Sequence, residues 1–111
     1  MIPIVRSAAA ALLLATATSA WSQAGAAPSP QAERLYLRSL AATCAHCHGT
    51  DGHAVPGEAT IRLAGQSRDF LLTQLLAFRT GDRKATIMHQ ITKGYSEDQL
   101  EKLAAYFAAQ K

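Results

Sequence analysis

The chain has 111 residues, 49% of them hydrophobic, with eleven Lys and Arg against eight Asp and Glu. That length holds one domain and excludes a large multidomain enzyme. The bases are scattered from Arg34 to Lys111, with no glycine-rich phosphate loop and no aromatic-basic interleaving, so nucleic-acid binding is set aside.

Residues 1–26 read as a secretory signal peptide. Met1 to Arg6 carries one positive charge, and Ser7 to Ala20 is Ala- and Leu-rich without any charge. Ser22-Gln23-Ala24 and Ala24-Gly25-Ala26 both offer the small side chains that signal peptidase needs. The apolar run is too short to span a bilayer, and Trp21, Gln23 and Gly25 close it early, which weighs against an uncleaved anchor. Residues 27–111 are then the mature, periplasmic domain, with no stable membrane insertion. Loss of Arg6 leaves ten bases against eight acids.

Pro28-Ser29-Pro30 ends an Ala/Ser/Pro segment. From Gln31 the apolar positions Ala32, Tyr36, Leu40 and Cys44 recur every four residues, predicting a helix that carries Cys44 on its core side. Gly49 to Gly65 contains Asp51-Gly52 and Pro56 and has no sustained period, so it reads as a loop. Ser67 is placed to cap a helix with inner face Phe70, Leu71, Gln74, Leu75 and Phe78, and Gly81 to stop it. Arg83 to Gly94 is a second connection with a turn or two of helix around Ile87 to Ile91. In the last helix Ser96 and Gln99 form a capping box and Tyr95 and Leu100 a hydrophobic staple, with Leu103, Ala104 and Phe107 continuing the stripe. No segment alternates with a two-residue period, so the class is all-α, with three to four helices.

Cys44-Ala45-His46-Cys47-His48 has two cysteines separated by two residues and a histidine directly after, the attachment signature for c-type haem. Positions i and i+3 on a helical turn point the same way. Cys44 and Cys47 can therefore bond two vinyl groups on one porphyrin edge, while His48 reaches the iron as an axial ligand. One motif predicts one covalent haem c that moves single electrons. Three other readings compete. A thiol-disulfide oxidoreductase shows the same spacing but rests on a βαβ core that this pattern lacks. A structural zinc needs four ligands, and His46 or His53 could join the cysteines, though the two-plus-two spacing of zinc modules is missing. A disulfide across two residues closes a small, strained loop.

Apart from the initiator, Met88 is the only methionine, forty residues after His48. Its soft thioether suits the sixth iron position, where it favours ferrous iron and raises the reduction potential. The competing role is a core gap-filler. His89 and His53 are rival ligands that would lower the potential, and His46 faces away from the cysteine edge. Phe70, Leu71, Leu75, Phe78, Leu103 and Phe107 are expected as a low-dielectric wall, with Tyr36, Tyr95 and Tyr106 aiming hydroxyls at a haem propionate or at water.

Residues 40 to 110 resemble a class I cytochrome c. The shared features are the attachment motif, the Leu63-Ala64-Gly65-Gln66 loop, a middle helix with Gln74-Leu75 and Phe78, a methionine loop, and Leu103-Ala104-Ala105-Tyr106-Phe107 at the close. Soluble cytochromes of the c4 and c553 type have the same layout. Thr86-Ile87-Met88-His89-Gln90-Ile91-Thr92-Lys93-Gly94-Tyr95-Ser96 is similar to the methionine loop of the cytochrome subunit of flavocytochrome c sulfide dehydrogenase. That resemblance implies a haem subunit, not an enzyme by itself, that accepts electrons from a sulfide-oxidising flavoprotein. It matches Cys44, Cys47 and His48 to the family's haem site and Met88 to its axial methionine. The single motif corresponds to the single-haem form. Ile61 stands where a proline often precedes the Leu-Ala-Gly run, a place whose backbone carbonyl would accept the His48 Nδ1 proton. The alternative is a free shuttle of the c4/c553 type. Two ionised propionates would nearly cancel the basic excess, which favours the subunit over a charged shuttle, and an open-site haem sensor is a third reading.

Overall fold

The computed structural model describes residue 25, residues 27–57 and residues 60–111. The predicted leader therefore lies almost wholly outside the described residues. Those residues form five α-helices and no strand: α1 Pro30–Ala42, α2 Ala45–His48, α3 Arg68–Thr80, α4 Met88–Ile91 and α5 Glu97–Ala108. Three are long, as expected, and α2 and α4 are single turns. Short 3-10 turns follow each of these at Thr50–Gly52 and Thr92–Gly94.

Each long helix begins where a side chain can replace a missing backbone partner. The Ser29 hydroxyl accepts from Ala32 N at 3.1 Å, with Pro30 preset for the first turn of α1. The Ser67 hydroxyl accepts from Phe70 N at 3.2 Å, and α3 stops at Gly81, whose φ of 90° lies in the left-handed region. Both halves of the capping box on α5 are present: Gln99 N donates to Ser96 Oγ at 3.2 Å, and Ser96 N donates to Gln99 Oε1 at 3.0 Å.

The first helix differs from its prediction. It ends at Ala42, the Cys44 N–H turns back to Ala41 O, and α2 then restarts on the Cys44 carbonyl, which accepts from His48 N at 2.9 Å. Of the expected stripe, Leu40 and Cys44 pack against the core while Ala32 and Tyr36 are exposed. Tyr36 instead meets the flank of α5, where its hydroxyl accepts from Gln99 Nε2 and Lys102 stands over its ring. The hydroxyls of the other two tyrosines also have partners within the protein. Tyr95 packs on the core as the staple predicts, and its hydroxyl pairs with Thr43. The Tyr106 hydroxyl donates to Asp51 Oδ1, and burial together with that carboxylate pushes the phenol above its usual range.

The core is small: Ala41, Leu71, Leu100, Leu103, Ala104 and Phe107, mostly from one face of α5. α3 and α1 close over that face. The loop from 49 to 66 is fastened to it. Gly52 has φ of 79°, and a Cβ there would stand 2.8 Å from a Phe107 ring carbon and 2.9 Å from Ala64 N. Its carbonyl accepts from both Leu63 N and Ala64 N, and Gly65 N donates to Phe107 O at 3.0 Å. These bonds hold residues 61–65 against the turn that follows the cysteine motif.

Candidate functional site

The cysteine motif occupies α2 and the turn before it, so Cys44, Cys47 and His48 fall on one helical turn as the spacing requires. All three line a single cavity of about 240 Å³, together with Thr43, Thr60, Ile61, Leu63, the inner face of α3 and the α4 loop. Met88 lines the same cavity, brought there by the connection between α3 and α5. His89, the neighbouring rival, does not; it lines a different pocket. His53 also lies outside the cavity, with Nε2 at 2.6 Å from Lys111 O. His46 is exposed.

The imidazole of His48 is oriented by the backbone. Its Nδ1 is 2.8 Å from the Ile61 carbonyl oxygen, the position expected to serve even without proline. A proton on Nδ1 satisfies that carbonyl and leaves Nε2 with its lone pair free. Thr60 adds a second tie that no sequence signal announced: its hydroxyl donates to the Cys47 carbonyl.

The walls are apolar and only partly covered. Ile61, Phe70, Ile87 and Ile91 line the cavity while remaining 48%, 43%, 57% and 40% exposed. Of the expected wall, Leu71, Leu103 and Phe107 are buried behind them, and Leu75 and Phe78 stand between. Among the described residues Arg83 is the only Lys, Arg, Asp or Glu in the lining. Its guanidinium stacks 4.7 Å from the Phe78 ring centroid and donates to Gln74 Oε1. Sequence reading missed it because nothing in the local pattern around Gly81 marks a cation that folds back over α3.

The chemistry of the cysteines separates the competing readings. The two are not joined in a disulfide. Burial pushes the Cys44 thiol above its usual range, the opposite of the activated thiolate a thiol-disulfide oxidoreductase uses. Among the described residues no three His, Cys, Asp or Glu side chains converge to hold a metal ion, as structural zinc requires.

A second pocket, of about 380 Å³, shares Phe78 and Arg83 with the first and is otherwise lined by Arg79, Thr80, Gly81, Lys84, Ala85, His89 and Lys93. The bases that look scattered along the sequence are here drawn together by the fold. His89 Nδ1 is buried without a hydrogen-bond partner.

Large apolar side chains left half wet around one cavity leave a helical shell unfinished, and a porphyrin of the kind the motif attaches would complete it. Two thiols at the edge make that completion covalent, a free imidazole nitrogen and a thioether supply iron ligands, and the arrangement is that of a c-type cytochrome. Residues 38–111 match the Cytochrome c family, and the chain belongs to it: a monohaem electron carrier with the class I fold and covalent haem c. The chain is similar to the cytochrome subunit of sulfide dehydrogenase of Chlorobaculum tepidum, 33% identical over 90% of this chain and 91% of that one. It is 38% identical to cytochrome c4 of Pseudomonas aeruginosa over 67% of this chain, but spans only 36% of that protein. A solved cytochrome c4 of Acidithiobacillus ferrooxidans matches 60% of this chain and 38% of its own, with a TM-score of 0.54 and 38% identity.

Proposed function

We propose that this chain is an exported, periplasmic cytochrome that holds its haem through Cys44 and Cys47, with His48 and Met88 as axial ligands. In this reading it is the haem subunit that receives electrons one at a time from a flavoprotein sulfide dehydrogenase. The observation that carries the site assignment is the convergence of Cys44, Cys47, His48 and Met88 on one apolar cavity. The partner assignment is supported by the near full-length similarity to a sulfide dehydrogenase cytochrome subunit.

When bound, haem c supplies an iron that takes up and releases one electron without forming a bond to a substrate. The residues around it do the rest. The Ile61 carbonyl holds the proton on His48 Nδ1, which fixes the ring and its tautomer with Nε2 free to ligate. Met88 contributes a soft sulfur that favours the reduced state. Phe70, Leu75, Phe78, Ile87 and Ile91 would press apolar surface on the porphyrin and lower the local dielectric, which penalises the extra charge of the oxidised state.

Two measurements test the reading. Protein from an exporting, maturation-competent host should be red and keep its colour through acid-acetone extraction, and a Cys44→Ala/Cys47→Ala variant should release it. Native protein should co-purify with a flavoprotein. Recovery as a monomer alone favours the second reading, a free shuttle of the c4/c553 type, which the similarity to cytochrome c4 supports.

A further inference from the structure

Thr92 is the only polar residue that the fold buries among the described residues, at 1% exposed, and its hydroxyl has one acceptor. Oγ1 donates to the Met88 carbonyl at 2.9 Å. The Thr92 N–H donates to the same oxygen, so Met88 O receives both donors of one residue. A buried hydroxyl deprived of that acceptor would carry the full penalty of leaving water, which makes the pairing hard to undo. α4 needs such a hold. It is a single turn, no side chain caps its start, and Ile87 before it lies outside the helical region at φ −135°. Thr92 itself is well anchored, because it begins the 3-10 turn Thr92–Gly94, which packs with α4 on α3.

The residue after Met88 gives this clasp its meaning. Successive residues of a helix point about 100° apart. Met88 accordingly lines the haem cavity and His89 the neighbouring pocket. An imidazole is as able to bind iron as a thioether, so only the phase of one helical turn keeps His89 from that position. Its own pocket does little to retain it, since His89 Nδ1 is buried there without a hydrogen-bond partner. We propose that Thr92 is the positioning residue that selects the sixth ligand: by holding the Met88 carbonyl it fixes the phase of α4, so that Met88 and not His89 is presented to the haem. This deepens the cytochrome reading with Met88 as ligand and rests on it. A turn freed from the clasp could rotate and offer imidazole in place of sulfur, which would lower the reduction potential.

The test uses the haem-loaded protein. Haem content checks the cytochrome reading, and the sulfur-to-iron charge-transfer absorption of the oxidised parent checks Met88 ligation, so failure of either is seen before any variant is compared. Thr92→Val keeps the shape of the side chain and removes the hydroxyl, whereas Thr92→Ser keeps the hydroxyl. Ser96→Ala, which weakens the α5 cap outside the clasp, controls for a general loss of stability. Titration of the oxidised protein with imidazole measures how firmly the sixth ligand is held, and the His89→Ala background leaves Met88 as its sole internal competitor. In that background Thr92→Val should bind imidazole about fivefold more tightly, the change expected from one lost hydrogen bond. With His89 present, Thr92→Val should have a lowered reduction potential and a bis-imidazole component in its electron paramagnetic resonance spectrum, which Thr92→Val/His89→Ala lacks. Thr92→Ser and Ser96→Ala should match the parent throughout. In the reduced parent the Thr92 hydroxyl proton should exchange slowly enough to give its own NMR signal, and its absence overturns the proposal even where a variant fails to fold. Parental imidazole affinity in Thr92→Val overturns it, as does an equal change in Ser96→Ala, or a loosened Met88 with no component that depends on His89.

Discussion

His48 Nδ1 lies 2.8 Å from the carbonyl oxygen of Ile61, thirteen residues further along the chain. The ring's orientation is therefore set by the loop from 60 to 65, and that loop is set in turn by the Gly52 carbonyl and by Phe107. Gly52 is the weak point of this relay. Substitution to Ala puts a methyl against the Phe107 ring and Ala64 N in a backbone conformation that side chains resist. Gly52→Ala should destabilise the folded protein by about 2 kcal/mol in denaturant titrations. It should also broaden the haem-proximal His48 resonances in NMR spectra, whereas a substitution at Gly94, where a Cβ meets nothing within 4 Å, should leave them sharp.

Met88 faces the haem cavity while His89 faces the basic pocket. Met88→Ala should abolish the sulfur-to-iron charge-transfer absorption, lower the reduction potential and let carbon monoxide bind the reduced protein rapidly at neutral pH. His89→Ala should retain all three properties of the parent. The reverse pattern would make His89 the ligand.

Leu100 is fully buried, sits at the fourth residue of α5 and packs with Tyr95 on the core. In a core of six side chains its loss cannot be absorbed by neighbours. Leu100→Ala should cost about 3 kcal/mol in thermal or denaturant unfolding, within the range for large-to-small core changes. Ser96→Ala, which removes only the cap, should cost about 1 kcal/mol.

Tyr106 supplies a pH signature. Its phenol is held above the usual range by burial and by Asp51, so the folded state keeps the proton after the unfolded chain would release it. The corresponding stability is complete below the ordinary phenol range near pH 10 and is lost as pH rises through the higher folded value. Tyr106→Phe should lose about 1 kcal/mol at pH 7 with the hydrogen bond to Asp51. Between pH 9 and 11 its stability should fall less steeply than the parent's, as followed by denaturation midpoints at fixed ionic strength.

Much of this organisation is legible from residues alone where the signal is local. Ser67, Gly81 and Ser96 mark helix ends because capping involves atoms three or four residues apart. The stripe of α5 is legible because that helix faces one core along its whole length. The break at Thr43 and Cys44 is not, since a kink that preserves the phase of a four-residue repeat leaves the repeat intact. Pairings such as Tyr95 with Thr43, or Tyr106 with Asp51, join residues more than fifty positions apart, and nothing local records them. The basic pocket is hidden for the same reason: Lys93 meets Arg79 only because α4 folds back along α3.

The scant core has a last consequence, for how the molecule is made. Among the described residues seven buried hydrophobic side chains, three of them alanine, offer little driving force for collapse, while Ile61, Phe70, Ile87 and Ile91 stay half exposed until a porphyrin covers them. A porphyrin held by two thioethers would cover the apolar surface these four side chains leave open, so much of the domain's durability should arrive with it.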